Sequence, residues 1–167
     1  MAYKESSYDV NRFTKLKSQD TMIPTIINGH CHSDPRGFLL YNNDFDASAV
    51  KRFYTIENHT IDFVRAWQGH KIEQRWFVAV QGSFKIKLIK IDDWVNPSQE
   101  LKPHAFILNS QKMDVLHVPN GYASSIQSME KGSRLLVMAD SLLGEVNDEY
   151  RFADDYFLAG EKGVVEH

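Results

Sequence analysis

Val64-Arg65-Ala66-Trp67-Gln68-Gly69-His70-Lys71-Ile72-Glu73-Gln74, closed by Gly82, is the stretch on which the reading of this 167-residue chain turns. Its first part reads as an extended strand, in which alternate side chains share a face. Gln68 and His70 then point the same way, together with Val64 and Ala66. A polar pair beside small apolar residues suits the wall of a ligand pocket. The alternative is an edge strand whose polar tips are solvated. Arg65 has the opposite parity and joins Gln68 only if the strand bulges. Otherwise it serves a surface or a neighbouring subunit.

On both sides of this stretch the chain is a series of short runs rich in β-branched and aromatic residues. They span Met22 to Asn28, Gly37 to Asn42, Val50 to Glu57, Asp62 to Gln68, Arg75 to Val80, Ser83 to Ile91, His104 to Leu108, Asp114 to Val118, Tyr122 to Met129 and Arg134 to Ala139. Such composition favours strands. The separators, among them Asp34-Pro35-Arg36-Gly37, Gln81-Gly82-Ser83 and Pro119-Asn120-Gly121, carry turn chemistry. Short strands at this spacing predict a sandwich or jelly roll. In the Ser83 run, Phe84, Ile86 and Leu88 share one face, and a slip of parity at Ile89 predicts a bulge or twist. Only Glu145 to Tyr150 and the last residues suggest short helix.

Composition sets further bounds. Hydrophobic residues make up 43% and aromatic residues 12%, enough for a well-packed single domain. Its expected limits are 21–157, after a polar lead-in over 1–20 and before a tail over 158–167. The net charge of −3 gives no reason to expect nucleic acid or a membrane surface as partner. No apolar run approaches the roughly 20 residues that cross a bilayer. The polar start lacks a secretory core, and the single Cys31 fits a reducing cytoplasm. In His30-Cys31-His32 the middle residue of an extended triplet points away from its neighbours, so the triplet reads as a partly exposed strand and not as a metal site.

Two further clusters bear on chemistry. His32-Ser33-Asp34-Pro35-Arg36-Gly37-Phe38 is a turn with a charged tip entering a strand. His117-Val118-Pro119-Asn120-Gly121-Tyr122-Ala123-Ser124 is a strand end, a tight turn and a new strand. His117 is read evenly as a second acid/base or as a partly buried hydrogen-bonder. Tyr122 is read as a donor to a ketone or enolate oxygen, or as a packed ring bonded to a carbonyl.

The opening stretch resembles a metal-cupin signature with most of its ligands replaced. That signature places His at 68 and 70, a carboxylate at 74, and a final His in a later Pro-x-Gly-x-x-His. Here the slots hold Gln68, His70, Gln74 and Ser124. A neutral hydroxyl and neutral amides are poor ligands for a divalent transition metal. No metal is expected. Glu73 stands beside the carboxylate slot but is expected to face the other way.

The chain also resembles the sugar-nucleotide cupins: the dTDP-4-dehydrorhamnose 3,5-epimerases and the dTDP-4-keto-6-deoxyglucose 3,4-ketoisomerases. Three segments carry the resemblance in order: Asp34-Pro35-Arg36-Gly37-Phe38, Arg65-Ala66-Trp67-Gln68-Gly69-His70 and Val118-Pro119-Asn120-Gly121-Tyr122-Ala123. It implies an all-β, cupin-like jelly roll, a homodimer, and proton transfer beside the ketone of a dTDP-linked 4-keto-6-deoxysugar without a cofactor. Arg36 and Arg65 would hold the diphosphate, the early turn reaching into the partner subunit's pocket. The epimerases' base histidine is Gln68 here. Their lysine would fall near Trp76, and their tyrosine near Leu142 and Leu143. Of the ketoisomerases' His-x-His only His70 remains. His70 is therefore the expected base, with His117 as second candidate. Gln68, Gln74, Tyr122 and Ser124 would orient the sugar. The competing expectation is a cupin that binds a nucleotide sugar or a partner after losing its base.

Overall fold

A computed structural model describes residues 22–161. The 1–20 lead-in lies outside the described residues, as do the last six residues of the 158–167 tail. The elements run β1 (Thr25–Ile27), β2 (His30–Asp34), β3 (Gly37–Tyr41), β4 (Arg52–Glu57), β5 (Val64–His70), β6 (Arg75–Gln81), β7 (Ser83–Lys90), β8 (His104–Asn109), β9 (Val115–Val118), β10 (Tyr122–Ser128), β11 (Arg134–Ala139), β12 (Tyr150–Arg151) and α1 (Leu158–Glu161). Every strand pairing is antiparallel.

Alternation of side chains decides what lies between the sheets. One sheet has the order β1-β9-β6-β11-β4, the other β12-β5-β10-β7-β8. Phe77 and Ala79 of β6, Leu116 and Val118 of β9, and Leu135 and Val137 of β11 form one core with Phe84, Ile86 and Leu88 of β7 and Tyr122 and Ile126 of β10. Each fully buried Phe, Ile or Leu contributes about 1.5–3 kcal/mol. The result is an all-β cupin-like jelly roll. Gly82 makes the turn from β6 to β7 at φ 65°, where a Cβ would stand 2.2 Å from Ser133 Oγ. That hydroxyl accepts the Ser83 N–H at 3.1 Å, so the turn is tied to the β10–β11 connection.

Two details differ from the sequence reading, and a third agrees with it. β7 pairs with β10 without a bulge; Ile89 and Ile91 instead join a second apolar cluster on the sheet's outer face, with Trp67, Ala123 and Phe157. At its Leu88–Ile89 end the strand is buried on both faces, which reads as broken alternation. Glu145 to Tyr150 is not helical: it runs through turns into β12, anchored by Glu145, which accepts the Leu142 N–H at 2.8 Å and pairs with Lys51 at 2.9 Å. The His30-Cys31-His32 segment is a strand, paired with β3 as a separate exposed hairpin. Phe38 and Leu39 on this hairpin are 80% and 61% exposed.

Candidate active site

The decisive local feature is a bulge in β5. Gln68 pairs with Ser124 of β10, but Arg65 pairs with Ile126. Three steps along β5 match two along β10, so the parity of β5 changes between Arg65 and Gln68. Arg65 thereby joins Gln68 and His70 on the inner face. Ala66 and Trp67 pack with the outer cluster, and Val64 lines an outer-face hollow. The expected companionship of Val64 and Ala66 with Gln68 and His70 is therefore corrected. Gly69 lacks a side chain because Trp94 covers it; a Cβ there would lie 2.8 Å from that ring.

The inner face of β5 meets β4 across the open side of the sandwich, and the space between them is a cleft of two lobes. The first, of about 320 Å³, is lined by Thr55, Ile56, Glu57, Arg65, Ser124 and Ile126. The second, of about 410 Å³, is lined by Arg52, His70, Glu73 and the loop from Leu142 to Glu149. Tyr54, Gln68 and Arg75 line both. A larger hollow of about 650 Å³ beside Asp92, Asp93 and Glu100 has no cation in its lining.

His70 is 8% exposed, and neither ring nitrogen finds a hydrogen-bond partner among the described residues. Burial, then the charge of Arg75, push its pKa down to about 4, against the opposing pull of Glu73, Asp148 and Glu149. It is a neutral imidazole at physiological pH. Beside it lies a buried ionic knot. Glu73 accepts hydrogen bonds from Arg75 Nε at 2.7 Å, from Arg52 Nη2 at 2.9 Å and from the Ser141 hydroxyl. Burial raises the Glu73 pKa, but these bonds and the Arg75 charge outweigh it and carry it down to about 2. Asp148 accepts the backbone N–H groups of Lys71, Ile72 and Glu73 at 2.9, 2.8 and 2.7 Å, which fixes the turn after β5.

The remaining expected site residues are divided. Ser124 lines the cleft, its hydroxyl 3.4 Å from the Gln68 carbonyl oxygen. Tyr122 packs its ring into the inner core, where burial raises its pKa, and it does not line the cleft. Gln74 and His117 lie apart from the cleft. His117 stacks on Trp76 at 5.4 Å on the outer face, and its Nε2 lies 2.8 Å from Gln74 Oε1. Residues 71–74 are a turn and not a continuation of the strand, so Glu73, expected to face away, enters the cleft and Gln74 leaves it. Arg36 sits at the exposed tip of the β2–β3 hairpin, bonded to Asp34 at 2.5 Å, and does not line the cleft of its own chain. Among the described residues no group of three or more His, Cys, Asp or Glu side chains is placed to hold a metal ion. No helix among them is long and apolar enough to cross a membrane.

The sequence model of the family described as FdtA: WxcM-like, C-terminal matches residues 22–159. The chain belongs to this WxcM-like family. No curated protein matches the chain. Among solved structures, it is similar to a 3,4-ketoisomerase from Helicobacter canadensis, with 23% identity, 82% of this chain and 96% of that one covered, and a TM-score of 0.61. It is equally similar to QdtA, a sugar 3,4-ketoisomerase from Thermoanaerobacterium thermosaccharolyticum in complex with TDP, with 23% identity, 85% and 97% coverage and a TM-score of 0.61. The rmlC epimerase from Mycobacterium tuberculosis matches at 18% identity, 81% and 72% coverage and a TM-score of 0.63. At these identities the likeness is one of fold.

Five cleft residues of this WxcM-like chain escaped the sequence reading: Arg52, Tyr54, Glu73, Arg75 and Asp148. The alternation of Arg52, Tyr54 and Ile56 in β4 was the available signal for two of them. No local signal places Asp148 beside a turn 75 residues away in sequence.

Proposed function

We propose that this WxcM-like protein is an isomerase or epimerase of a dTDP-linked 4-keto-6-deoxysugar, acting by proton transfer next to the ketone. The observation that carries the reading is His70: a buried, neutral imidazole without a hydrogen-bond partner among the described residues, lining a cleft that also holds three arginines. A neutral imidazole can accept a proton from the carbon beside a ketone and return it to the neighbouring carbon. Removal leaves an enolate, which becomes an enediol when the adjacent carbon bears a hydroxyl. Return to the same carbon from the other face gives an epimer. Return to the former carbonyl carbon gives the isomeric ketone. The ketone itself acidifies the C–H, so the step asks for no cofactor.

In this reading Arg65 binds the diphosphate, for which a guanidinium fork is well shaped. Arg36 joins it from a second copy of the chain in a homodimer. The exposed hairpin that carries Arg36, with Phe38 and Leu39 beside it, supports this arrangement. Gln68 and Ser124 orient the sugar. The place of such an enzyme is cytoplasmic nucleotide-sugar metabolism that feeds surface polysaccharide. The names of the similar structures, a 3,4-ketoisomerase and an epimerase, agree with the reaction class.

The test is a proton NMR time course with dTDP-4-keto-6-deoxyglucose in deuterated buffer. The acidic C–H should exchange with solvent, and His70→Asn should slow the exchange by roughly 10²-fold with nucleotide affinity nearly unchanged. Full activity in His70→Asn would move the base elsewhere. A second reading has its own support: Gln68 cannot act as a base, and His70 at about 4 is a weak one. Tight dTDP-sugar binding with no exchange would establish a non-catalytic nucleotide-sugar-binding cupin instead.

A further inference from the structure

His70 Nδ1 stands 3.8 Å from Glu73 Oε1 and 3.8 Å from Asp148 Oδ2. Both carboxylates are held in place by other groups. Asp148 is fixed by the three backbone N–H groups of residues 71–73. Glu73 is fixed by Arg52, Arg75 and Ser141. Neither can turn away from the ring without breaking buried, charge-assisted hydrogen bonds. At 3.8 Å they act on the imidazole through their field and not through a formed hydrogen bond.

A neutral imidazole carries one N–H and one lone pair, and its surroundings choose which nitrogen has which. A lone pair on Nδ1 would face two anionic oxygens. An N–H on Nδ1 presents a positive hydrogen to both. The charged groups around the ring are Glu73 on the turn after β5, Arg75 on β6, and Asp148 and Glu149 on the loop before β12. The two carboxylates within 4 Å lie on the Nδ1 side.

We infer that Asp148 and Glu73 are positioning residues that hold His70 as its Nδ1–H tautomer, leaving the lone pair on Nε2. Joined to the proposed function, on which this consequence rests, Nε2 is the atom that takes the substrate proton. Two chain segments far apart in sequence then set the working nitrogen of the base. This is the same logic by which a buried carboxylate fixes the tautomer of a histidine in other acid–base sites.

The tautomer can be read without any activity. Long-range ¹H–¹⁵N correlation spectra of histidine-labelled protein at pH 7 separate protonated from unprotonated ring nitrogens, and His70→Asn assigns the signal. We expect a protonated Nδ1 and an unprotonated Nε2 in the wild type. An Nε2–H tautomer there would overturn the inference, whatever the enzyme does. Glu73→Gln and Asp148→Asn should each raise the Nε2–H population. Both folding with the wild-type tautomer unchanged would equally overturn it. If Asp148→Asn fails to fold because its backbone partners are lost, Glu73→Gln and the wild-type spectrum still decide. Substrate exchange measured on the same samples separates the two ideas. The expected tautomer without exchange would sink the isomerase reading alone. Where exchange occurs, Glu73→Gln should slow it about tenfold while dTDP affinity holds.

Discussion

Acid should destabilise this protein through His70 at a higher pH than through the buried Glu73. The ordinary His pKa of 6.5 applies to the unfolded chain, whereas burial and Arg75 hold the folded value at about 4. Between those values the unfolded ensemble binds the proton that the folded state refuses, so stability falls as pH drops through that window and is fully present above 6.5. With about 1.36 kcal/mol per pKa unit, moving from pH 7 to pH 4.5 should cost about 2.4 kcal/mol through this one side chain. Glu73 works in a lower window. Its folded pKa of about 2 lies below the ordinary 4.5, so its contribution is present above 4.5 and lost only as pH falls toward 2. Urea unfolding of the wild type and His70→Asn at both pH values isolates the effect, because other groups cancel in the difference. The stability gap between the two proteins should shift by about 2.4 kcal/mol in favour of the variant at the lower pH. A gap that stays constant within about 0.5 kcal/mol would refute the buried, neutral imidazole, and with it the electrostatic basis of the proposed base.

Four further outcomes are expected. Calorimetry with dTDP should show binding at least roughly tenfold weaker for Arg65→Ala, and a loss for Arg36→Ala only if a second chain supplies that residue. For the proposed homodimer, sedimentation of a Phe38→Asp variant should report a shift toward monomer relative to the wild type, since Phe38 is 80% exposed on the hairpin in the single chain. Glu73→Ala should cost about 3–5 kcal/mol in chemical denaturation, because the buried Arg75 and the partly buried Arg52 would be left as cations without their shared partner. Elemental analysis of dialysed protein should find no stoichiometric transition metal, Gln68 and Ser124 being poor ligands beside a single imidazole.

The strands were legible in the sequence because their signal is local. β-branched runs bounded by turn residues predicted ten strands, each lying where a strand is found, and Gly82 closed the β6–β7 turn as expected. Gln68 and His70 were placed on one face by strand geometry alone. What failed was parity across irregularities. Arg65 reached the cleft because β10 holds β5 in a bulged register, which belongs to the pair of strands and not to either one. Glu73 and Gln74 exchanged faces because residues 71–74 turn around the carboxylate of Asp148. The cleft's second wall, Arg52, Tyr54 and Arg75, comes from the opposite sheet. His117 had an even reading from its sequence context, and stacking on Trp76 put it on the outer face. Periodicity tells which side chains travel together along a strand. Which face becomes an interior, and what meets across it, depends on hydrogen bonds and packing between segments distant in the chain, and those exist only once the two sheets have closed on each other.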